Sequence, residues 1–270
     1  MHLRLENSFE ELIKKALRLQ LPFFQCFLFS QTTGDYITCT PELQLLGELL
    51  KEQFKALYVH SSYFINLAKT DAYSHPVFKK EILLAQQLGF SHIIAHAGAA
   101  TALSDKQRSI HAVARSVNKI LKKEPTLTLV LENSGHGGKA VGSSLEELYA
   151  IRCLLDYPEK VKFCIDTAHA HVFGYDIISP SGQQAFTEQV ENFFGKESLA
   201  LLHLNDTQEE CGSQVDKHEV PGLGVLGPEV LKNIINHRLF CDIPLIIEMA
   251  PLPELSEGEI VAMVSGWIKS

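Results

Sequence analysis

Short apolar runs alternate with longer amphipathic stretches along the chain. The runs at residues 22–29 (PFFQCFLF), 56–60 (ALYVH), 92–96 (HIIAH), 127–132 (LTLVLE), 161–166 (VKFCID), 199–204 (LALLHL) and 244–248 (PLIIE) predict strands. Unbroken apolar character predicts strands covered on both faces, as in a parallel sheet. Between them, helical spacing predicts helices over 8–19, 41–52, 75–88, 105–123, 144–155, 182–194, 228–236 and 256–268. Ser144 is a good N-cap, and Pro228 suits a first helical position. A weak strand at 3–5 brings the count to eight. Eight strand–helix units in 270 residues give roughly 34 residues each, the repeat of a (β/α)8 TIM barrel. The predicted class is therefore α/β, with one barrel domain over residues 1–270. An open doubly wound sheet would alternate in the same way. No G-x-G-x-x-G follows the first strand, however, so a dinucleotide fold lacks its main support.

The residues that end the strands are the informative ones. His60, His96, Glu132, Asp166, His203 and Glu248 lie at or next to the ends of successive apolar runs, 36, 36, 34, 37 and 45 residues apart. Each step is about one strand–helix unit, so each strand presents one polar residue at the same rim. In a barrel that rim carries the active site. All six are metal-ligand types. Three more follow in the segments beyond, predicted as loops: His169, and the D-x-H pair Asp216 and His218. Converging carboxylates repel one another without cations, so the nine predict a multi-metal site. With three or four ligands per ion and one carboxylate bridging, nine ligands fit three metals better than one. Histidine with carboxylate, and no Cys-x-x-Cys pair, fits zinc; manganese or iron would be tolerated. His92 and His111 read as surface or satisfied histidines, Glu146 and Glu147 as solvated helix charges, and Cys164 as core packing. His136 and His171 are secondary candidates near the rim.

Composition narrows the classes. The 24 Lys+Arg against 32 Asp+Glu give a formal charge of −8, unlike a bulk electrostatic nucleic-acid binder. Bound metals would reverse that sign locally. No run of 18 apolar residues predicts a membrane span, and the charged start predicts no signal peptide. Six scattered cysteines fit a reducing, intracellular compartment. A G-x-S-x-G elbow is absent, which disfavours a serine hydrolase.

These residues, in this order, resemble the endonuclease IV family of apurinic/apyrimidinic endonucleases. The matching segments are His60-Ser-Ser-Tyr63-Phe-Ile-Asn66-Leu-Ala68, Glu132-Asn133-Ser-Gly135-His-Gly137, Asp166-Thr167-Ala-His169-Ala, Leu202-His203-Leu204-Asn205-Asp206 and Gly212-Ser213-Gln-Val-Asp216-Lys-His218, then Gly222-Leu-Gly224. They span residues 58–251. The resemblance implies a trinuclear zinc (β/α)8 barrel that cleaves DNA at abasic sites. It implies that His60 and His96 hold a first metal, with Glu132 bridging to a second. Asp166, His203 and Glu248 complete the second, and His169, Asp216 and His218 hold the third, with manganese admissible at one site. Tyr63 would contact the substrate strand.

The reaction implied is hydrolysis 5′ to the abasic site, leaving a 3′-hydroxyl and a 5′-deoxyribose phosphate in base excision repair. Glu132 or Glu248 would orient the attacking nucleophile, and Asn133, Asn205 and Asp206 would orient the ligating groups. The implied partner is damaged double-stranded DNA, met by a monomeric, cytoplasmic, non-membrane enzyme. Where the family has a polar or basic loop after its second strand, residues 30–40 (SQTTGDYITCT) hold no Lys or Arg. Two rival readings share the metal ligands. One is a sugar isomerase or epimerase, which has no use for a third metal. The other is a silent damaged-DNA-binding homologue, which would not cut.

Overall fold

The structure is a computed structural model that describes residues 1–269 apart from 32, 70–73, 124, 125 and 127. Its strands are β1 (His2–Leu3), β2 (Phe23–Cys26), β3 (Ala56–His60), β4 (His92–His96), β5 (Thr128–Glu132), β6 (Val161–Asp166), β7 (Leu199–His203) and β8 (Leu245–Ile246). They form one all-parallel sheet in chain order. Beyond β8, the Ile247 carbonyl accepts the His2 N–H at 2.9 Å, which brings the sheet round to near closure as a (β/α)8 barrel. The helices are α1 (Phe9–Arg18), α2 (Pro41–Gln53), α3 (Ser74–Gln87), α4 (Lys106–Lys123), α5 (Leu145–Arg152), α6 (Thr167–Phe173), α7 (Pro180–Phe194), α8 (Gly227–Ile235) and α9 (Glu254–Ser265). Side-chain caps start several of them. Ser8, Thr40, Ser144 and Ser179 each accept a backbone N–H from three residues on, satisfying donors that a first turn leaves open. Among the described residues no helix is long and apolar enough to cross a membrane.

Side chains alternate along a strand with period 2, and that alternation builds the site. Tyr58, Ile94, Val130, Cys164, Leu201 and Ile246 form a buried cluster of their own. Neighbours of the opposite parity, such as Val59, Ile93, Leu131, Ile165 and Leu202, join the larger core shared with the helices. The small cluster is therefore the barrel's interior filling. Two positions further along each of those strands come His60, His96, Glu132, Asp166, His203 and Glu248. The six rim residues form the next layer of the same interior.

Four sequence expectations shift. β1 is His2–Leu3 rather than 3–5, and β2 ends at Cys26 rather than 29. β8 is two residues long, so Glu248 lies past its end. Leu127, expected to open β5, lies outside the described residues, as does Thr32 in the 30–40 segment. His169 is not in a loop: it belongs to α6, which starts directly at the end of β6 with Asp166 as its N-cap.

Candidate metal centre

The nine candidate ligands converge at the C-terminal mouth of the barrel. Glu132 is at the centre and fully buried. Its Oε2 lies 3.3 Å from His60 Nε2 and 3.8 Å from His96 Nε2, and its Oε1 lies 2.9 Å from His203 Nδ1 and 3.3 Å from His169 Nδ1. His203 Nδ1 also stands 3.3 Å from Glu248 Oε2 and 3.7 Å from Asp166 Oδ2. Asp216 Oδ1 lies between His169 Nε2 at 3.1 Å and His218 Nε2 at 3.3 Å. Among the described residues, besides the set Glu132, Cys164 and His203, ligand atoms gather in three overlapping groups able to hold an ion: His60, His96 and Glu132; Glu132, Asp166, His203 and Glu248; and Asp166, His169 and His218. Glu132 is common to the first two and Asp166 to the last two.

Hydrogen bonds behind the ring decide which atom His60, His169 and His203 present. His60 Nδ1 pairs with the Ser61 carbonyl at 2.8 Å, and His169 Nδ1 with the Asn133 carbonyl at 2.8 Å. A carbonyl only accepts, so both rings carry their proton on Nδ1 and turn an Nε2 lone pair inward. His203 is reversed: Nε2 bonds to Gln25 Oε1 at 2.8 Å, and Nδ1 faces the centre. Each inward lone pair then meets another acceptor. His60 and His203 face Glu132 oxygens, His169 faces Asp216, and His169 Nε2 meets His218 Nε2 at 3.3 Å. Acceptor facing acceptor is repulsive unless a proton or a metal cation lies between.

The local titration follows from this geometry. Burial alone would raise Glu132, but His203, His96 and His169 hold its carboxyl well below the usual range. Burial opposes the same effect at Asp216, where His169 and His218 prevail and lower it. At Asp166 burial wins and raises the carboxyl. Burial would lower His60, His169, His203 and His218, yet their anionic neighbours raise all four above 6.5. His96 goes the other way, pushed by burial down to about 4, and its buried Nδ1 has no partner.

The remaining candidates are sorted by position. Tyr63, 70% exposed, stands at the mouth with its ring against Phe27 and His60. His136 is largely exposed, with Nε2 3.7 Å from Asp216 Oδ2. His171 is buried on α6 with neither ring nitrogen hydrogen-bonded. Cys164 is interior filling, as expected, and its sulfur also lies within ligand reach of Glu132 and His203. Burial raises that thiol to about 12.

Asn133, Asn205 and Asp206 hold the ring's frame. Asn133 bonds the Asp166 backbone through both ends of its amide, at 2.7 and 3.1 Å. Asn205 donates to Asp166 Oδ2 at 2.5 Å and accepts the Glu248 N–H at 2.8 Å. The buried Asp206 carboxylate accepts the N–H groups of Thr207, Gly222, Gly224, Leu226 and Gly227, and its carbonyl accepts that of Glu219, next to His218. His2 and Gln25 were missed by the sequence reading. Both are inward residues of β1 and β2, paired in register. Placing the first strand one residue late, at 3–5, hid His2, and glutamine, not being a metal-ligand type, gave no signal.

Comparison with known proteins agrees with this fold. A family model described as a xylose isomerase-like TIM barrel matches residues 15–265. A Halorhodospira halophila protein named "Probable endonuclease 4" is 34% identical over 206 residues, 74% of this chain and 69% of that one. One of the same name from Thermosipho africanus is 33% identical over 258 residues, 92% of this chain and 90% of that one. The chain belongs to the endonuclease IV family. Among solved structures, endonuclease IV from Thermus thermophilus superposes with a TM-score of 0.82 at 23% identity, covering 99% of this chain and 96% of that one. A D-tagatose 3-epimerase-like protein superposes with a TM-score of 0.71 at 17% identity over 97% and 93%. At these identities both likenesses speak for the barrel alone.

Proposed function

We propose that this chain, as one barrel domain over residues 1–270 and as a monomer, is a metal-dependent DNA-repair endonuclease. It hydrolyses the phosphodiester 5′ to an abasic site in duplex DNA, leaving a 3′-hydroxyl and a 5′-deoxyribose phosphate. The observation that carries the reading is the set of inward imidazole lone pairs aimed at carboxylates, a donor set that a row of cations would reconcile. Three divalent ions fit it: zinc by ligand chemistry, with manganese tolerable at one position. His60, His96 and Glu132 would hold the first, Glu132, Asp166, His203 and Glu248 the second, and His169, Asp216 and His218 the third. When bound, such ions supply a hydroxide nucleophile at neutral pH and offset the charge of the attacked phosphate. Glu132 and Glu248 both face His203 Nδ1 and would orient that nucleophile. Tyr63 would lie against the substrate strand, beside a mouth cavity of about 360 Å³ lined by His2, His60, His96, His169, His218 and Glu248.

A metal-dependent sugar isomerase or epimerase on the same barrel is the alternative, and the epimerase-like fold keeps it in view. The third group disfavours it, since a one- or two-metal sugar site leaves His169, Asp216 and His218 without work. The test joins two measurements on one sample. Purified protein should hold about three zinc per chain and nick a duplex carrying one tetrahydrofuran residue, and Glu132→Ala should lose at least about 100-fold of that nicking. A full metal complement with no nicking, across salts and metals, sinks the nuclease reading and leaves the metal centre standing.

A further inference from the structure

Gln25 spends every hydrogen-bonding group of its side chain inside the barrel and is fully buried. Its Nε2 donates to Glu248 Oε1 at 2.5 Å and meets His2 Nδ1 at 2.8 Å. Its Oε1 faces His203 Nε2 at 2.8 Å. The amide cannot be turned over. A flipped amide would set its oxygen against the Glu248 carboxylate, acceptor against acceptor. One end of the network therefore dictates the other. The carboxylate claims the NH2 and leaves the amide oxygen for His203. That oxygen holds the imidazole proton on Nε2, so Nδ1 is the lone pair left for the centre. The same NH2 retains Glu248 Oε1, while Oε2 accepts from Asn205 Nδ2 at 3.3 Å and turns to His203 Nδ1, also at 3.3 Å.

We propose that Gln25 is a positioning residue that selects which nitrogen of His203 and which oxygen of Glu248 face the second metal position. The role rests on the metal reading above, and it adds a residue outside the nine ligands. A neutral amide can do this where a charged side chain cannot. It serves an acceptor and a donor at once and adds no charge to a crowded anionic site. His2, beside it in register, has Nδ1 2.8 Å from the same amide nitrogen and 3.3 Å from Glu248 Oε1, which closes the network on its third side. Partners that orient metal-binding histidines and carboxylates in this way commonly change metal affinity by about 10–100-fold when removed.

The experiment compares wild type with Gln25→Met, which keeps side-chain length and apolar packing but abolishes the three hydrogen bonds. Zinc is titrated away with a chromogenic chelator, and the fold is followed by circular dichroism. In Gln25→Met one of the three metals should leave at a chelator concentration roughly 10–100-fold lower than in wild type, with the other two unchanged. Turnover on the abasic duplex should fall while KM stays near wild type. Three metals held with wild-type affinity in Gln25→Met would overturn the role and reduce Gln25 to packing. Should that variant fail to fold, nitrogen-15 NMR of histidine-labelled, zinc-loaded wild type decides. His203 bound through Nδ1 and protonated on Nε2 supports the proposal, and binding through Nε2 refutes it. A wild type that takes up no metal overturns the metal reading itself, and the positioning role with it, before any variant is compared.

Discussion

At the scale of single residues, protons and metal ions compete for the same contacts. His60, His169, His203 and His218 have values raised above 6.5. In metal-free protein their contribution to stability is fully present below 6.5 and is lost as pH rises through the raised values. Glu132, Glu248 and Asp216 are lowered, so theirs is present above about 4.5 and lost as pH falls through the lowered values. His2, His92, His96, His171 and His237 are lowered by burial; they cost stability only as pH falls below 6.5, so they leave the loss above 6.5 intact. Metal-free protein should therefore melt highest at about pH 5–6.5 and lower towards pH 8.5. Metal must displace those protons, so the rise in melting temperature on adding zinc should grow between pH 6 and pH 8. Melting curves of chelator-treated and zinc-loaded protein across that range check both statements. A metal-free melting temperature that climbs steadily to pH 8.5 would contradict the first.

At the scale of elements, α6 is the piece on which the third ligand group depends. Asp166 caps it by accepting the His169 N–H at 2.8 Å while its other oxygen faces His203 and His218. Gly135 gives it room: a Cβ there would stand 2.8 Å from Val172 Cγ2 and 3.0 Å from His169 Cδ2. Gly135→Ala should push α6 outward, cost about 1–3 kcal/mol of stability, and release one metal while the other two stay. Metal content with a urea melt checks this, and an unchanged three-metal complement would argue that α6 yields without moving His169. The layout also explains what was legible in the chain. The six rim residues stood out because the interior layer repeats two positions earlier on every strand, and apolar strands ending in a ligand type survive errors of a residue or two at their ends. α6 was hidden because it is two turns long and buried from Thr167 to Val172, so it lacks the polar stripe by which a surface helix is recognised. Gln25 was hidden for another reason: its work lies in contacts across the sheet, which no spacing along the chain encodes.

At the scale of the whole molecule, the proposed nuclease reading asks a chain of formal charge −8 to attract a polyanion, and the chain offers little to do so near the mouth. The 30–40 segment holds neither Lys nor Arg. Of the residues lining the mouth cavity, Arg4 is the one Lys or Arg. Its side chain is exposed and makes no hydrogen bond or ion pair with the described residues, whereas many of the other cationic side chains, such as Lys14, Arg18, Lys51 and Arg238, are paired with carboxylates. Tyr63 and Phe64, 70% and 71% exposed, add apolar rather than ionic contact. Binding should then depend on the metal centre, Arg4 and stacking. Each phosphate neutralised adds about 0.9 to the salt slope on duplex DNA, so wild type should show a shallow slope, with only a few such contacts. Arg4→Ala should reduce the slope by about one and weaken binding at low salt, leaving metal content untouched because Arg4 bonds none of the nine ligands. Titrations of a tetrahydrofuran duplex from 50 to 200 mM salt separate these outcomes. A steep wild-type slope unaffected by Arg4→Ala would mean that a basic surface away from the mouth holds the DNA, and that the metal centre meets its phosphate only after that surface has bound.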